Sequence, residues 1–569
     1  VEELFRHVRP ISRTAQNILK QRYFQDGETK WEDVAKRVVD NIVPDGYYAE
    51  QEILRALIIN GYFIPNSPCL VNAGKPGAGL MACFVVDFPD NIEGIYKTKL
   101  DFALIARKGG GCGTALSKIR PEGSKVAGST HGYAGGGVKF ADTISHDADA
   151  LTQAGFRAMA IMFTESVYHP DILKFVTAKH EEGRLSNANI SVMVDDAFMN
   201  AVMNDEKYWT EFDGTKYNEY RARDIFDLII EGMWRNGEPG ILFKDRIDDS
   251  PYKYSGQEIF STNPCSEQPL PPNGACNLGS IDLSKFYDKD IEDNINWNKL
   301  GIAVEYGVRF LDYVIDKTGF PTKEIEKWSL ENRPVGLGIM GYADLCLLKK
   351  IAYGSDEALD LLTKILLFIR SKATEESEIL GAHLGIPNAC KKVKPAPRRN
   401  VTVMTIAPTG TVSLIAGCSS GIEPIFSEIT IRNDKTGVYT FENSLADEPY
   451  FRCAVSTNGA SEVTWEEHIK TLAYAQKYID SGVSKTINFP KNTHRETIGK
   501  AVIMAWREQC KGLAVYRNGS RKVEVLSPKN VRKDKCPICG NDILVINGKK
   551  RCMVCTKDDL IEQTVSYYD

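Results

Sequence analysis

Apolar residues recur at helical spacing early in the chain, at Val34, Val38, Val39 and Ile42 and again at Ile53, Leu54, Leu57 and Ile58, which predicts a helical N-terminal region over residues 1–60. Beyond about residue 61 the pattern changes. Short apolar runs such as Ala82–Val86 and Ile190–Val194 alternate with helical stretches and Gly-rich turns, the layout of strands joined by crossover helices in an α/β fold. Ser355 predicts an N-cap, with Asp356 and Glu357 in the first turn and Leu359, Leu362, Leu366 and Ile369 as the core-facing stripe. Val401–Ile406 reads as a buried strand that enters the turn Ala407-Pro408-Thr409-Gly410-Thr411. Ligands bind at such strand ends. A polar, basic stretch over 527–535 reads as a linker between a large unit at 61–526 and a small cysteine module at 536–569.

Composition narrows this picture. The 569 residues are 43% hydrophobic and 25% charged, as in an ordinary globular protein with a substantial core. A net charge of -5 gives no general attraction to nucleic acid, so none is expected as a partner, while single nucleotides remain possible ligands. No run of about 20 apolar residues suggests a membrane span, and Val1-Glu2-Glu3-Leu4-Phe5 lacks the look of a secretory signal, so a cytoplasmic location is expected. The 14 cysteines are scattered apart from two Cys-x-x-Cys pairs, which points to thiols, metal ligands or redox catalysts rather than a disulfide framework.

Asn263, Cys265 and Glu267 alternate, so an extended backbone would turn a thiol, an amide and a carboxylate to one face. A lone Cys beside Pro is ordinarily a turn with a buried thiol. The surrounding sequence argues otherwise. Ser261-Thr262-Asn263-Pro264-Cys265-Ser266-Glu267-Gln268-Pro269-Leu270, followed by Ala275-Cys276-Asn277-Leu278-Gly279-Ser280, resembles the active-site stretch of ribonucleotide reductases, especially the cobalamin-dependent class II enzymes. The resemblance continues in the family's order through Asn332-Arg333-Pro334-Val335-Gly336-Leu337-Gly338, Met340-Gly341-Tyr342-Ala343-Asp344, Thr405 to Ser413 and Ser419-Ser420-Gly421-Ile422-Glu423-Pro424. It runs from about Phe63 to Arg521.

The resemblance implies a ten-stranded α/β barrel, two five-stranded parallel halves placed antiparallel, with Cys265 on a loop inside it. It implies that a thiyl radical at Cys265 abstracts the ribose 3'-hydrogen, that Glu267 is the general base and that Asn263 holds the ribose hydroxyls. Cys83 and Cys276 would supply the reducing equivalents, become a disulfide and be re-reduced by thioredoxin or a similar dithiol. Ser67, Thr409, Gly410, Thr411 and Ser413 would hold the substrate's phosphates. Asp90 and Arg120 would bind a dNTP or ATP effector between subunits of a homodimer, with signalling loops at 128–137 and 152–161 and Arg157 against the substrate base. The segment Gly155-Phe156-Arg157-Ala158-Met159 has fewer Arg and Gly than the usual class II loop, and from the residues alone Asp90 could instead cap a helix beginning Asn91-Ile92-Glu93. Lys108-Gly109-Gly110-Gly111-Cys112-Gly113 lacks the Gly-Lys-Ser/Thr ending of a phosphate loop and reads as barrel backbone.

The radical source follows by resemblance and exclusion. A class I subunit, which needs a separate radical-generating partner, has adjacent tyrosines where this chain has Val515-Tyr516, and a class III enzyme needs a glycyl-radical motif where this chain has Val565-Ser566-Tyr567-Tyr568-Asp569. Adenosylcobalamin is thereby implied. Cys536, Cys539, Cys552 and Cys555 flank a hairpin-like stretch, Ile543–Lys550 with Asn547-Gly548 as its turn, and suggest a structural zinc ribbon. Rival readings are a dithiol shuttle for the Cys83 and Cys276 pair, or a nucleic-acid-binding ribbon aided by Lys529, Arg532, Lys533 and Lys535.

Overall fold

The computed structural model describes residues 5, 11–127, 130–153, 157–180, 183–434, 437–457, 461–520 and 526–528, with four short strand segments beyond them. Helices Arg13–Arg22, Trp31–Ile42 and Tyr48–Ile59 come first. Trp31–Ile42 buries Val34, Val38, Val39 and Ile42, the stripe its spacing predicts, and these residues share one apolar core with the strands that follow.

Among the described residues ten strands join in one sheet. They are β1 (Phe63–Pro65), β2 (Cys83–Val85), β3 (Gly111–Ala115), β4 (Ile161–Ser166), β5 (Ala188–Val194), β6 (Gly240–Phe243), β7 (Gly274–Asp282), β8 (Val335–Met340), β9 (Thr486–Phe489) and β10 (Gly512–Arg517). β4 and β5 are buried along nearly their whole length, which is why they read as continuous apolar runs.

From β2 to β6 each strand is parallel to the next. In the second half β7 and β8 are parallel, as are β9 and β10. Between these pairs lies the buried segment 402–406, which bridges Leu337 at Met404 and Val483 at Ile406, both in parallel. The halves meet antiparallel at two seams, β2 against β7 and β6 against β10. The sheet thus closes into the expected barrel. β1 extends the first seam by pairing antiparallel with the far end of β7.

Val401–Ile406, expected as an ordinary strand, makes isolated bridges instead of a regular ladder. Its backbone is still satisfied: Val335 N–H donates to the Thr402 carbonyl at 3.1 Å and Ile406 N–H to the Gly482 carbonyl at 3.2 Å. Gly338 makes the close approach possible, since a Cβ there would sit 2.2 Å from the Thr405 carbonyl oxygen. Helices cover the outside. Asp356–Leu384 is capped by Ser355, whose Oγ accepts from Ala358 N–H at 3.2 Å, and packs on Trp297–Lys317. Among the described residues no helix is long and apolar enough to cross a membrane.

Candidate active site

Ser261 and Thr262 pair antiparallel with Leu270 and Pro269, so residues 263–268 form the tip of a hairpin, and this hairpin enters the barrel. Thr164 of β4 fixes its entry by donating to the Phe260 carbonyl at 2.7 Å. Gly113 of β3 lets it pass, because a Cβ there would lie 1.8 Å from the Thr262 carbonyl oxygen. The tip is tied to both halves of the barrel. Asn189 Nδ2 donates to the Pro264 carbonyl at 2.8 Å, and Thr405 Oγ1 and the Gly482 N–H both donate to the Glu267 carbonyl at 2.7 Å.

The alternation of Asn263, Cys265 and Glu267 predicts one shared face, and here the structure differs. The chain must reverse between paired strands, so residues 264–267 turn, with Ser266 in the left-handed region at φ 65°. The turn divides the set. Asn263 and Glu267 are buried, whereas Cys265 is exposed, the one exposed thiol among the ten described cysteines.

Behind the tip, Cys83 of β2 and Cys276 of β7 are direct cross-strand partners at the first seam. Facing residues in an antiparallel pair have Cα atoms about 4.5–5.5 Å apart, within the roughly 4.4–6.8 Å that a disulfide spans. Both are reduced and buried. Asn263 Nδ2 donates to Cys83 Sγ at 3.2 Å, and the Cys83 thiol donates to Glu267 Oε1 at 3.7 Å. The amide and the carboxylate therefore meet at Cys83. Burial first and the Glu267 charge second push both thiols well above their usual range, so the pair is held neutral. Leu278 and Ala407 complete the small apolar cluster around them.

Cys265 opens on a cavity of about 600 Å³, in the range of ligand sites. Ser413 and Ser420 line it, their hydroxyls 2.9 Å apart. Thr409, Gly410 and Thr411 form the turn just before Ser413. Thr409 takes φ 51° and its Oγ1 accepts from Gly421 N–H at 2.8 Å, while a Cβ on Gly410 would meet open space. Ser67 bonds the Tyr23 hydroxyl at 2.8 Å. Tyr23 ends the helix Arg13–Arg22, which packs on Val412–Ala416, so Ser67 is linked to the turn through that helix.

Asp90 and Arg120 are brought together, with Arg120 Nε donating to Asp90 Oδ2 at 2.8 Å and its backbone N–H to Oδ1 at 3.2 Å. Asp90 is not the helix cap: Asn91 Oδ1 accepts from Gly94 N–H at 2.7 Å and starts the helix Ile92–Arg107. Arg157 lies in a two-residue strand paired with Thr152–Gln153, its side chain outside the described residues. Strands Asp542–Ile546 and Lys549–Cys552 pair as a hairpin, but Cys536, Cys539, Cys555 and the Cys552 side chain also lie outside the described residues.

The family model of the ribonucleotide reductase barrel domain matches residues 81–389 and 387–516. The chain belongs to the ribonucleotide reductase family. Vitamin B12-dependent ribonucleoside-diphosphate reductases of Thermoplasma acidophilum and Mycobacterium tuberculosis are 39% and 34% identical to it over 500 and 510 residues, 82% and 84% of this chain. The chain spans 65% of the first relative's length and 73% of the second's. The Actinobacillus ureae class Id ribonucleotide reductase alpha subunit matches in structure over 90% of this chain and 99% of that one, with a TM-score of 0.73 at 21% identity, a likeness of fold. Sequence reasoning missed the hairpin's tethers, Thr164, Asn189 and Gly482. The available signal was a polar residue inside an apolar strand, as with Asn189 in Ala188–Val194.

Proposed function

We propose that the chain reduces ribonucleotides to 2'-deoxyribonucleotides by thiyl-radical chemistry, with adenosylcobalamin as radical source. The observation that carries this is Cys265, the exposed thiol on a tethered hairpin tip beside a ligand-sized cavity, with a reduced cross-strand cysteine pair behind it.

Cys265 as a thiyl radical takes the hydrogen from C3' of the ribose. Glu267 takes the 3'-hydroxyl proton and Asn263 keeps the hydroxyls in register. The 2'-hydroxyl leaves as water. Cys83 and Cys276 give up two protons and two electrons, one proton to the departing 2'-hydroxyl and the other to C2', and become a disulfide; Glu267 returns its proton to the 3'-oxygen and Cys265 its hydrogen to C3'. A thioredoxin-like dithiol then restores the pair. The contacts of Asn263 and Glu267 with Cys83 support a joint proton and electron path.

The residues present fit adenosylcobalamin. A radical source must reach the thiol, which the exposure of Cys265 allows, and the cavity beside it is edged with both apolar and hydrogen-bonding groups. Ser191, Ile241 and Leu513, which line the cavity, would contact the cofactor there. The chemistry the cofactor would supply when bound is homolytic abstraction of the Cys265 hydrogen atom. The class I alternative is not favoured, because the relatives at 39% and 34% identity are named vitamin B12-dependent. Ser413 and Ser420, with the Thr409 turn, are the proposed phosphate end, and Asp90 with Arg120 the proposed effector contact at a homodimer interface.

Purified protein given adenosylcobalamin, a dithiol and each ribonucleotide is expected to form deoxynucleotide, and Cys265→Ala none. Absence of cobalamin-dependent product, or undiminished product from the variant, would overturn the reading.

A further inference from the structure

The cavity that holds Cys265 carries a charged cluster that the mechanism above does not use. Glu423 and Lys485 both line it. The Lys485 side chain is fully buried, while that of Glu423 keeps 26% of its surface exposed. Lys485 Nζ donates to Glu423 Oε2 at 2.7 Å and to His468 Nδ1 at 2.9 Å, and stands 5.7 Å from the centre of the Tyr353 ring. The Thr486 backbone N–H donates to Glu423 Oε1 at 2.7 Å. Each carboxylate oxygen is thus gripped from the protein side.

An ammonium has donors only, so His468 must accept at Nδ1. Burial, with Lys485 second, keeps that ring neutral. Among the described residues Glu423 is the one carboxylate that Lys485 pairs with, its other contacts being His468 and, at 3.5 Å, the Thr486 carbonyl. A buried lysine carries a desolvation cost that packing by itself would not require, and an apolar side chain of its size would fill the space. A carboxylate offers about four acceptor positions, of which the protein takes two here. The exposed remainder faces the cavity. It would repel phosphate, which leaves the Ser413 and Ser420 hydroxyls for that role, and it suits a hydrogen-bond donor.

We propose that Glu423 is a ligand-contacting residue of this cavity, accepting a hydrogen bond from an amide or amine N–H, with Lys485 the positioning residue that aims its carboxylate. Resting on the reductase reading, the donor has two sources: the base of the ribonucleotide or the amide fringe of the corrin cofactor. The chemistry recognised is the same in both.

Equilibrium dialysis of the full chain against adenosylcobalamin, and separately against each ribonucleoside diphosphate, distinguishes them. Glu423→Gln is expected to weaken one arm about tenfold, as loss of a charge-assisted hydrogen bond does, and the double variant Glu423→Gln with Lys485→Met is expected to stay weak. Loss confined to the cobalamin arm identifies the cofactor as donor; loss confined to the nucleotide arm identifies the base. The double variant leaves no buried charge unpaired, so it also controls for folding. Binding within twofold of wild type in both arms, or full recovery in the double variant, would overturn the proposal, since recovery would mean that only a stranded ammonium had been at fault. Wild-type protein that binds neither ligand would overturn the reductase reading itself, and this inference with it.

Discussion

Cys265 and Cys83 are the same residue type in opposite surroundings, one exposed and one buried against Glu267. At neutral pH iodoacetamide is therefore expected to alkylate Cys265 well before Cys83 or Cys276, read by peptide mass spectrometry; equal labelling would contradict the burial described. Asp282, at the end of β7, makes a pH prediction. Burial raises its carboxyl from 3.8 to about 6. A raised value means that its stabilising contribution is complete below about pH 4 and is lost as pH rises through about 6. Asp282→Asn is expected to flatten the stability profile over that window and to gain up to about 3 kcal/mol at pH 7, measured by urea unfolding. Cys265 was legible only through its neighbours, since one thiol among 14 carries no signal alone. Its exposure was not legible, because the alternation rule assumes an extended chain and the left-handed Ser266 leaves no trace in the apolar pattern.

The hairpin is an element whose position depends on what its neighbours lack. Gly113→Ala would place a methyl in the path of the Thr262 carbonyl, so an overpacking loss of about 1–3 kcal/mol is expected. Deoxynucleotide formation should fall far more than stability, and a variant with full turnover would show that the hairpin can shift freely. Thr405→Val removes one of the two donors to the Glu267 carbonyl while Gly482 keeps the other. About a tenfold drop in kcat with KM little changed is expected. The individual strands were partly legible: Ala82–Val86 and Ile190–Val194 overlap β2 and β5. Their order was not, because residues such as Cys83 and Cys276 are paired by long-range register that local periodicity does not encode; the barrel was expected from resemblance alone.

At the scale of the molecule, a buried ionic knot binds the helical layer to the barrel. Asp312 on the helix Trp297–Lys317 accepts from Arg333 at 2.9 Å, Arg399 at 2.7 Å and Asn400 at 2.8 Å. Asp312→Ala would strand the buried guanidinium of Arg399 and leave Arg333 with Asp316 as its one carboxylate, with an expected loss of about 3–5 kcal/mol in chemical denaturation. Loss below 1 kcal/mol would show that Asp316, the other carboxylate on Arg333, suffices. The seam between β2 and β7 has a different kind of weight. Cys83 and Cys276 face each other where the two parallel halves meet, far apart in the chain. On the proposed mechanism a disulfide forms there during turnover and adds a covalent staple to the backbone pairing of the two halves. In the chain-entropy picture so long a closed loop contributes roughly 5 kcal/mol. On that reading the oxidised form is expected to melt at a higher temperature than the dithiol-reduced form, and equal melting curves for the two would contradict it.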